Sequence, residues 1–226
     1  MSAIAGTSVE AQRLARQVGS HAQLIRAICT FNQNPADYID DSRRPDFFAQ
    51  PAGDALWKCE RARRHLSQHI LERVGAEPCL ETMQPEWPVA LLDRPQLDRL
   101  ARHVSAAIVG PRVRRALSRV EVIRWREWLS SEAHEFALTR ASLLPFHADA
   151  GHSPETTTAE HLGHAWIVAA SKRWHTAIAR RFMLKLPAGS YKEVEAIDGA
   201  LASRLVISVL STLETRWCSS FATMRT

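Results

Sequence analysis

The chain has 226 residues, 46% of them hydrophobic and 23% charged, which is typical of a folded soluble protein. Its formal net charge is +5, and most of its 29 cations are arginine. Arginine suits fixed, planar contacts with carboxylates or phosphates, although so small an excess of charge favours an acidic partner only weakly.

Several functional classes are excluded at this level. The four cysteines, Cys29, Cys59, Cys79 and Cys218, lie far apart without a C-x-x-C pair, which argues against a zinc ribbon or a disulfide framework. The N-terminus lacks the pattern of a secretory signal, and the longest apolar run, 165–170, is too short to span a bilayer. We therefore expect a reduced, cytoplasmic protein that reaches a membrane only through partners.

The N-terminal part predicts a helix over 8–30, started by a capping box of Thr7 and Glu10. Residues 31–51 are rich in Pro, Asn and Asp and should form an irregular connection. This connection is unusually rich in aromatic and large aliphatic residues, so we expect it to be pinned on the core: Phe31, Tyr38, Ile39, Phe47 and Phe48.

A second helix is predicted over 54–74, capped by Asp54 and closed by Gly75. Its apolar stripe should face inward and comprises Leu56, Cys59, Ala62, Leu66, Ile70 and Val74. The connection that follows, 76–92, should be anchored by two apolar residues, Leu80 and Trp87.

The central stretch, 91–144, predicts a helical hairpin with a basic outer surface. Its first helix should begin at the N-cap Asp93 and end at Gly110-Pro111, since proline donates no backbone hydrogen bond. Its second helix should begin at the capping box Ser118-x-x-Glu121. The apolar stripe of that helix consists of Val122, Trp125, Leu129, Ala133, Phe136 and Ala137.

After a connection over 145–155, a long helix is predicted over 156–185, with apolar residues every four positions. Four cations should lie on its other side: Lys172, Arg173, Arg180 and Arg181. A last helix over 191–222, after a capping box of Ser190 and Glu193, has a broad apolar face and should be central. No stretch alternates with a period of two, so we predict an all-α fold: a single irregular multi-helix domain over 1–226 with long aromatic-anchored loops.

Metal and magnesium chemistry receive little support. The pairs His65/His69 and His161/His164 have ligand spacing, but H-E-x-x-H is absent. Residues 37–41 form a D-x-x-D-D cluster of the kind found in magnesium–diphosphate enzymes, comprising Asp37, Asp40 and Asp41, but no second acidic motif is found. We therefore expect no catalytic residue, metal or cofactor. A small all-helical magnesium-dependent enzyme is kept as a second alternative.

Nine arginines fall within 33 residues of the central stretch: Arg94, Arg99, Arg102, Arg112, Arg114, Arg115, Arg119, Arg124 and Arg126. An acidic protein surface, a nucleic acid or plain solvent could face them. No helix-turn-helix pattern is defensible here, so we expect no nucleic-acid partner. A basic helical nucleic-acid-binding protein is kept as the alternative function.

Two stretches resemble a known family: FNQNPADYIDDSRRP (31–45) and the central stretch from LLDRPQLDRLARHVSAAIVG through LTRASLL (91–144). Both are similar to the SctK proteins of bacterial type III secretion, called YscK or PscK in some animal pathogens, and especially to the Hrp-type branch. The segment order and RRFMLKLP (180–187) agree. The likeness spans most of 25–187, and the last helix adds little to it.

The resemblance implies a non-enzymatic adaptor of the cytoplasmic sorting platform below the injectisome. Such proteins join the cytoplasmic domain of the inner-membrane ring protein SctD to the pod protein SctQ, which leads to SctL and the ATPase SctN. The implied location is the cytoplasmic side of the inner membrane.

Two sets of residues are expected to contact partners. The first should shape one binding edge and comprises Asn32, Pro35, Tyr38, Asp40 and Arg43. The second should form an outward patch for an acidic partner and comprises Arg112, Arg114, Arg115 and Arg119. A loop that merely closes over the core is the competing role for Pro35 and Tyr38.

Overall fold

The computed structural model describes residues 22–48, 54–75, 77–144, 157–189, 191 and 196–222. In these residues the regular structure is helical and no strand is present, which confirms the all-α prediction. The α-helices are α1 (22–33), α2 (Arg44–Phe47), α3 (Asp54–Lys58), α4 (Glu60–Val74), α5 (Trp87–Ala90), α6 (Arg94–Arg115), α7 (Arg119–Leu129), α8 (Ser131–Thr139), α9 (Ala159–Ser171), α10 (Thr176–Phe182), α11 (Gly199–Leu213) and α12 (Thr215–Ala222). Short 3₁₀ turns cover Pro35–Asp37, Asp41–Arg43, Ala141–Leu143 and Met183–Lys185.

Helix α6 lies at the centre of the fold and packs against α8, α9 and α11. Its start is set locally, because Asp93 and Gln96 form a reciprocal capping box in which each side chain accepts the other's backbone N–H at 2.9 Å. The main core is formed around it by α6, α8, α9 and α11, together with α1 and Trp87. A smaller cluster around Ile70 joins α4 to the 35–48 segment.

The prediction that the first hairpin helix ends at Gly110-Pro111 is wrong, because α6 continues through both residues to Arg115. The missing N–H of Pro111 is outweighed by packing on either side of it. Gly110 is buried beside Ala141, and Val113 is buried one turn later. The surface at the end of α6 is therefore one turn further along the chain than the sequence suggests.

Three predicted long helices are each interrupted. The second hairpin helix breaks at Ser130, whose φ of 79° turns the chain between α7 and α8. The helix predicted over 156–185 begins at the N-cap Thr158 and breaks before α10, where the side chain of His175 accepts the Ala177 N–H. The last helix breaks at Glu214, between α11 and α12.

Predictions for α3 and α4 are partly wrong. Gly75 closes α4 in the left-handed conformation with φ 60°, as predicted. However, the chain breaks at Cys59, and both Leu56 and Cys59 are exposed instead of facing inward, because Trp57 takes the buried position. Leu80 is 56% exposed and does not anchor its connection, whereas Trp87 is fully buried as predicted.

The aromatic stretch predicted to begin at Phe31 is pinned to the core, although its first three residues, 31–33, form the end of α1. Phe31 is buried, stacks on Tyr38 with ring centroids 5.2 Å apart and meets Trp87 edge-on at 5.6 Å. Other predictions lie outside the described residues: the helix over 8–21 with its capping box of Thr7 and Glu10, the connection over 145–155, and the capping box of Ser190 and Glu193.

Candidate partner-binding surfaces

The predicted binding edge around residues 32–43 is held by internal contacts. Asn32 is buried, and its side chain donates to the carbonyls of Ile28 (2.9 Å) and Cys79 (2.8 Å). The Cys79 N–H donates back to Asn32 Oδ1 at 2.9 Å. Asn32 thus ties the end of α1 to the connection that precedes α5.

The remaining residues of this edge are also engaged within the chain. Pro35 is buried at the start of a 3₁₀ turn, and the Tyr38 hydroxyl donates to the Phe31 carbonyl at 2.7 Å. Arg43 donates from Nε to the Leu186 carbonyl at 2.6 Å and from Nη2 to the Pro187 carbonyl at 3.2 Å. The structure brings these residues together, and their observed contacts fix the shape of the segment.

Beside this segment lies a cleft of about 570 Å³ that the sequence did not predict. Aspartates from two parts of the chain line it, together with three cations: Asp37, Asp40, Asp41, Asp93, Asp98, Arg44, Arg94 and Lys185. We call it the acidic cleft. It lies at the N-terminal end of α6, where the helix dipole favours negative charge.

Arg94 bridges the two groups of aspartates. It forms an ion pair with Asp40 and a second one with Asp98, in which its Nε lies 2.9 Å from Oδ1. Burial alone would raise the pKa of Asp40, but hydrogen bonds from Ser42 and the charge of Arg94 outweigh burial, so this pKa is lowered. Burial would also raise the pKa of Asp98, but a hydrogen bond from His164 and the charge of Arg94 outweigh burial, so both carboxylates are held ionised around neutral pH.

Lys185 is buried at the edge of the same cleft. Its Nζ donates to the carbonyl of Ala90 (2.7 Å), the last residue of the short helix α5, and to the carbonyl of Leu92 (2.8 Å), just beyond that helix. Burial disfavours the ammonium and lowers the pKa of Lys185 to about 7, although Asp93 opposes that shift. Sequence reasoning missed this residue, because its hydrogen-bond partners are backbone carbonyls that no pattern marks.

Seven of the nine clustered arginines divide into two groups, which we call the first and second halves of the cluster, and Arg124 and Arg126 lie further along α7. In the first half, Arg99 joins Glu132 of α8 to Glu214 after α11, both at 2.5 Å, and Arg102 pairs with Glu160 of α9 at 2.6 Å. Together with Arg94, these arginines link helices to one another. Their charge is neutralised by carboxylates of the same chain.

The second half lies where α6 ends and α7 begins, and we call it the arginine corner: Arg112, Arg114, Arg115 and Arg119. Arg114 donates from Nη1 to the Ala137 carbonyl at 2.8 Å, so it also holds α6 against α8. Arg115 and Arg119 are exposed, and no ion pair is found for either within the described residues. Arg115 and Arg119 therefore contribute positive charge that no ion pair within the described residues neutralises.

Between these arginines lies an apolar feature that sequence reasoning also missed. Leu117 is 94% exposed, Val120 77% and Ile123 44%. We call these three residues the apolar ridge. The available signal was the position of Val120 and Ile123 on the face of α7 opposite the predicted apolar stripe.

The acidic cleft and the arginine corner lie at opposite ends of α6. A 22-residue helix is about 30 Å long, so Arg94 and Arg115 are separated by roughly that distance. The cations at the C-terminal end and the aspartates at the N-terminal end both complement the helix dipole. The molecule therefore has two surfaces of opposite charge on one rigid element.

The residues considered for metal chemistry are not grouped as a site. Asp37, Asp40 and Asp41 each pair with a different arginine, which is Arg63, Arg94 and Arg44 respectively. In the part of the chain that the structure describes, no three His, Cys, Asp or Glu side chains are placed to hold a metal ion. Within the same residues, no helix is long and apolar enough to cross a membrane.

The fold and the surfaces together define the class: an all-helical protein with separate charged surfaces. Comparison with protein families identifies the family within this class. The family model described as YOP proteins translocation protein K (YscK) matches residues 27–216. The chain therefore belongs to the YscK family, which is the SctK family of type III secretion proteins. The match extends beyond the 25–187 expected from the sequence and includes α11. No curated protein and no solved structure matches the chain.

Proposed function

We propose that this protein is a non-enzymatic adaptor of the type III secretion sorting platform. In this role it links the cytoplasmic domain of the ring protein SctD to the pod protein SctQ, and through SctQ it is connected to SctL and the ATPase SctN. It acts as one domain at the cytoplasmic side of the inner membrane. The observation that carries the proposal is the pair of oppositely charged surfaces, about 30 Å apart on α6, in a chain of this family.

An adaptor must hold two partners at a fixed separation, and the packing of α6 supports this requirement. The helix is buried along most of its length against α8, α9 and α11. The ion pairs from Arg94, Arg99 and Arg102 fasten it to neighbouring segments at several points. Surfaces of opposite charge also favour different partners, because juxtaposed like charges are costly at an interface.

No observation specifically favours either of the two alternative functions. A magnesium-dependent enzyme would need Asp40 and Asp41 available for the metal, but both are engaged with arginines. A nucleic-acid-binding protein would need a continuous basic surface, but the first half of the arginine cluster is paired with carboxylates. We therefore retain the adaptor role as the proposed function.

The test is a reconstitution with purified proteins. The full chain is titrated with the SctD cytoplasmic domain and with SctQ, first separately and then together, and complexes are measured by light scattering coupled to size exclusion. We expect both binary complexes and a ternary complex. Failure to bind either protein, or competition between the two, would overturn the proposal. Binding to a short DNA duplex with a steep salt dependence would favour the nucleic-acid alternative.

A further inference from the structure

The apolar ridge is unusual because its residues expose large aliphatic side chains next to one another. Val120 and Ile123 are three residues apart on one face of α7, and Leu117 lies just before the N-cap Ser118 of that helix. The inward face of α7 is formed instead by Trp125 and Leu129, which pack on the core. The ridge therefore lies on the side of α7 that the fold does not use.

Folding gives these side chains no role that explains them. A hydrophobic residue just before an N-cap often packs on the fourth residue of the helix, which here would be Leu117 on Val122. At 94% exposure Leu117 makes no such contact. The start of α7 is already set by the capping box, in which Ser118 and Glu121 bond reciprocally at 3.2 Å.

The charges around the ridge define what could cover it. Arg115 lies two residues before Leu117, Arg119 directly precedes Val120, and both arginines are exposed. Of the nearby acids, Glu121 is engaged by Ser118 in the capping box, and Glu127 lies one turn beyond Ile123. The cations therefore lie at the Leu117–Val120 end of the apolar strip, and Glu127 lies at its other end. The complement is an apolar groove with an acidic rim where it receives Leu117 and Val120.

We infer that the apolar ridge of α7 inserts into an apolar groove with an acidic rim on a partner protein. This inference rests on the proposed function, because it takes the partner to be one of the two sorting-platform proteins. Recognition follows the helix-in-groove mode, with α7 as the inserted helix and Val120 and Ile123 as its anchors. Leu117, just before the N-cap, is a third anchor at the start of the helix. The arginines orient the encounter and select against basic surfaces.

A membrane or a second copy of the chain explains the ridge less well. Helices that bind anionic lipid usually place aromatic residues outward, whereas Trp128 points inward and donates to the Thr157 carbonyl at 2.7 Å. A symmetric dimer through the ridge would bring Arg115 and Arg119 of both copies together, which repels. A separate acidic protein surface avoids both difficulties.

The test compares two variants of the full chain in titrations with the SctD cytoplasmic domain and SctQ. The first carries Leu117→Ser, Val120→Ser and Ile123→Ser. The matched control carries Leu80→Ser and Met83→Ser, two exposed apolar residues on a different segment. We expect the ridge variant to bind one partner about tenfold or more weakly, and the control to bind like the wild type. Circular dichroism should be unchanged in both, and any loss of Tm should be small and similar, since Ile123 and Met83 are both 44% exposed and the other three side chains are more exposed.

The outcomes separate this inference from the proposed function. Unchanged binding of both partners by the ridge variant overturns the inference and leaves the adaptor role intact. If the wild type binds neither partner, both proposals fail. Flotation with vesicles of anionic and neutral phospholipid, or self-association measured by sedimentation, overturns the inference if it depends on the ridge while partner binding does not.

Discussion

Gly163 of α9 lies directly against the backbone of Ala101 in α6. A Cβ added at Gly163 would lie 1.9 Å from the Ala101 carbonyl oxygen and 2.5 Å from its Cα. Real Cβ atoms do not approach a backbone so closely, so the two helices are in contact because this position lacks a side chain. This close approach sets the spacing between the two most extensively packed helices of the fold.

Gly163→Ala should destabilise the protein strongly. Alanine is favoured over glycine in a helix interior by about 1 kcal/mol, but here the methyl group would force the backbones apart. We expect a loss of about 3 kcal/mol in the free energy of unfolding and a fall of about 5–10 °C in Tm. Gly189→Ala is the control, since no atom lies within 4 Å of a Cβ at that position. Equal Tm values for the two variants would show that the helices are not in close contact at Gly163.

Asn32→Ala tests whether this residue of the predicted binding edge stabilises the fold instead of contacting a partner. The substitution leaves the buried backbone groups of Cys79 without their partner, and we expect a loss of about 3 kcal/mol by denaturant unfolding. Gln33→Ala, at the exposed neighbouring position, should cost little. A contact role alone would give the opposite pattern, with weaker partner binding and unchanged stability.

Lys185→Met should change how stability depends on pH. The unfolded lysine keeps its proton up to about pH 10.5, whereas the folded one releases it near pH 7, so the unfolded state binds more protons in between. The free energy of unfolding of the wild type should therefore contain a contribution that rises from about pH 7 towards 10.5, and the variant should lack it. Exposed Lys58→Met should keep the wild-type slope. Parallel slopes for all three proteins would show that the pKa of Lys185 is not lowered.

Helix starts and ends were predictable where the signal is local. The N-cap at Asp93, the capping box at Ser118 and the left-handed cap at Gly75 need only residues within one turn. The interruption at Ser130 was not predicted, because the apolar spacing continues across it from Leu129 to Ala133 and does not mark a positive φ. Pro111 failed as a stop signal because tertiary packing outweighed a local preference.

Contacts between distant segments account for what the sequence did not predict about the surfaces. Arg181 was assigned to an outward face, yet it is only 1% exposed and donates to the carbonyls of Asn32 and Glu77. Arg99 belongs to a cluster that looks uniformly basic, but Glu214 reaches it from 115 positions away. Composition indicated an arginine-rich exterior, and only the structure separates the paired arginines from the exposed ones. The assignment of 1–226 to one domain remains a prediction.

Reversing Arg115 and Arg119 to Glu should slow capture of an acidic partner without unfolding the protein. These two are better targets than Arg114, which holds the Ala137 carbonyl. A glutamate is unfavourable at the end of α6 but favourable at the start of α7, so the effects on stability should nearly cancel. By stopped-flow mixing with SctD and SctQ, we expect the association rate for one partner to fall about tenfold at low salt, with a smaller difference as salt rises. The control reverses Arg61 and Arg216, two exposed arginines elsewhere, and makes the same change in net charge. If both double variants associate equally fast with each partner, the arginine corner does not steer binding.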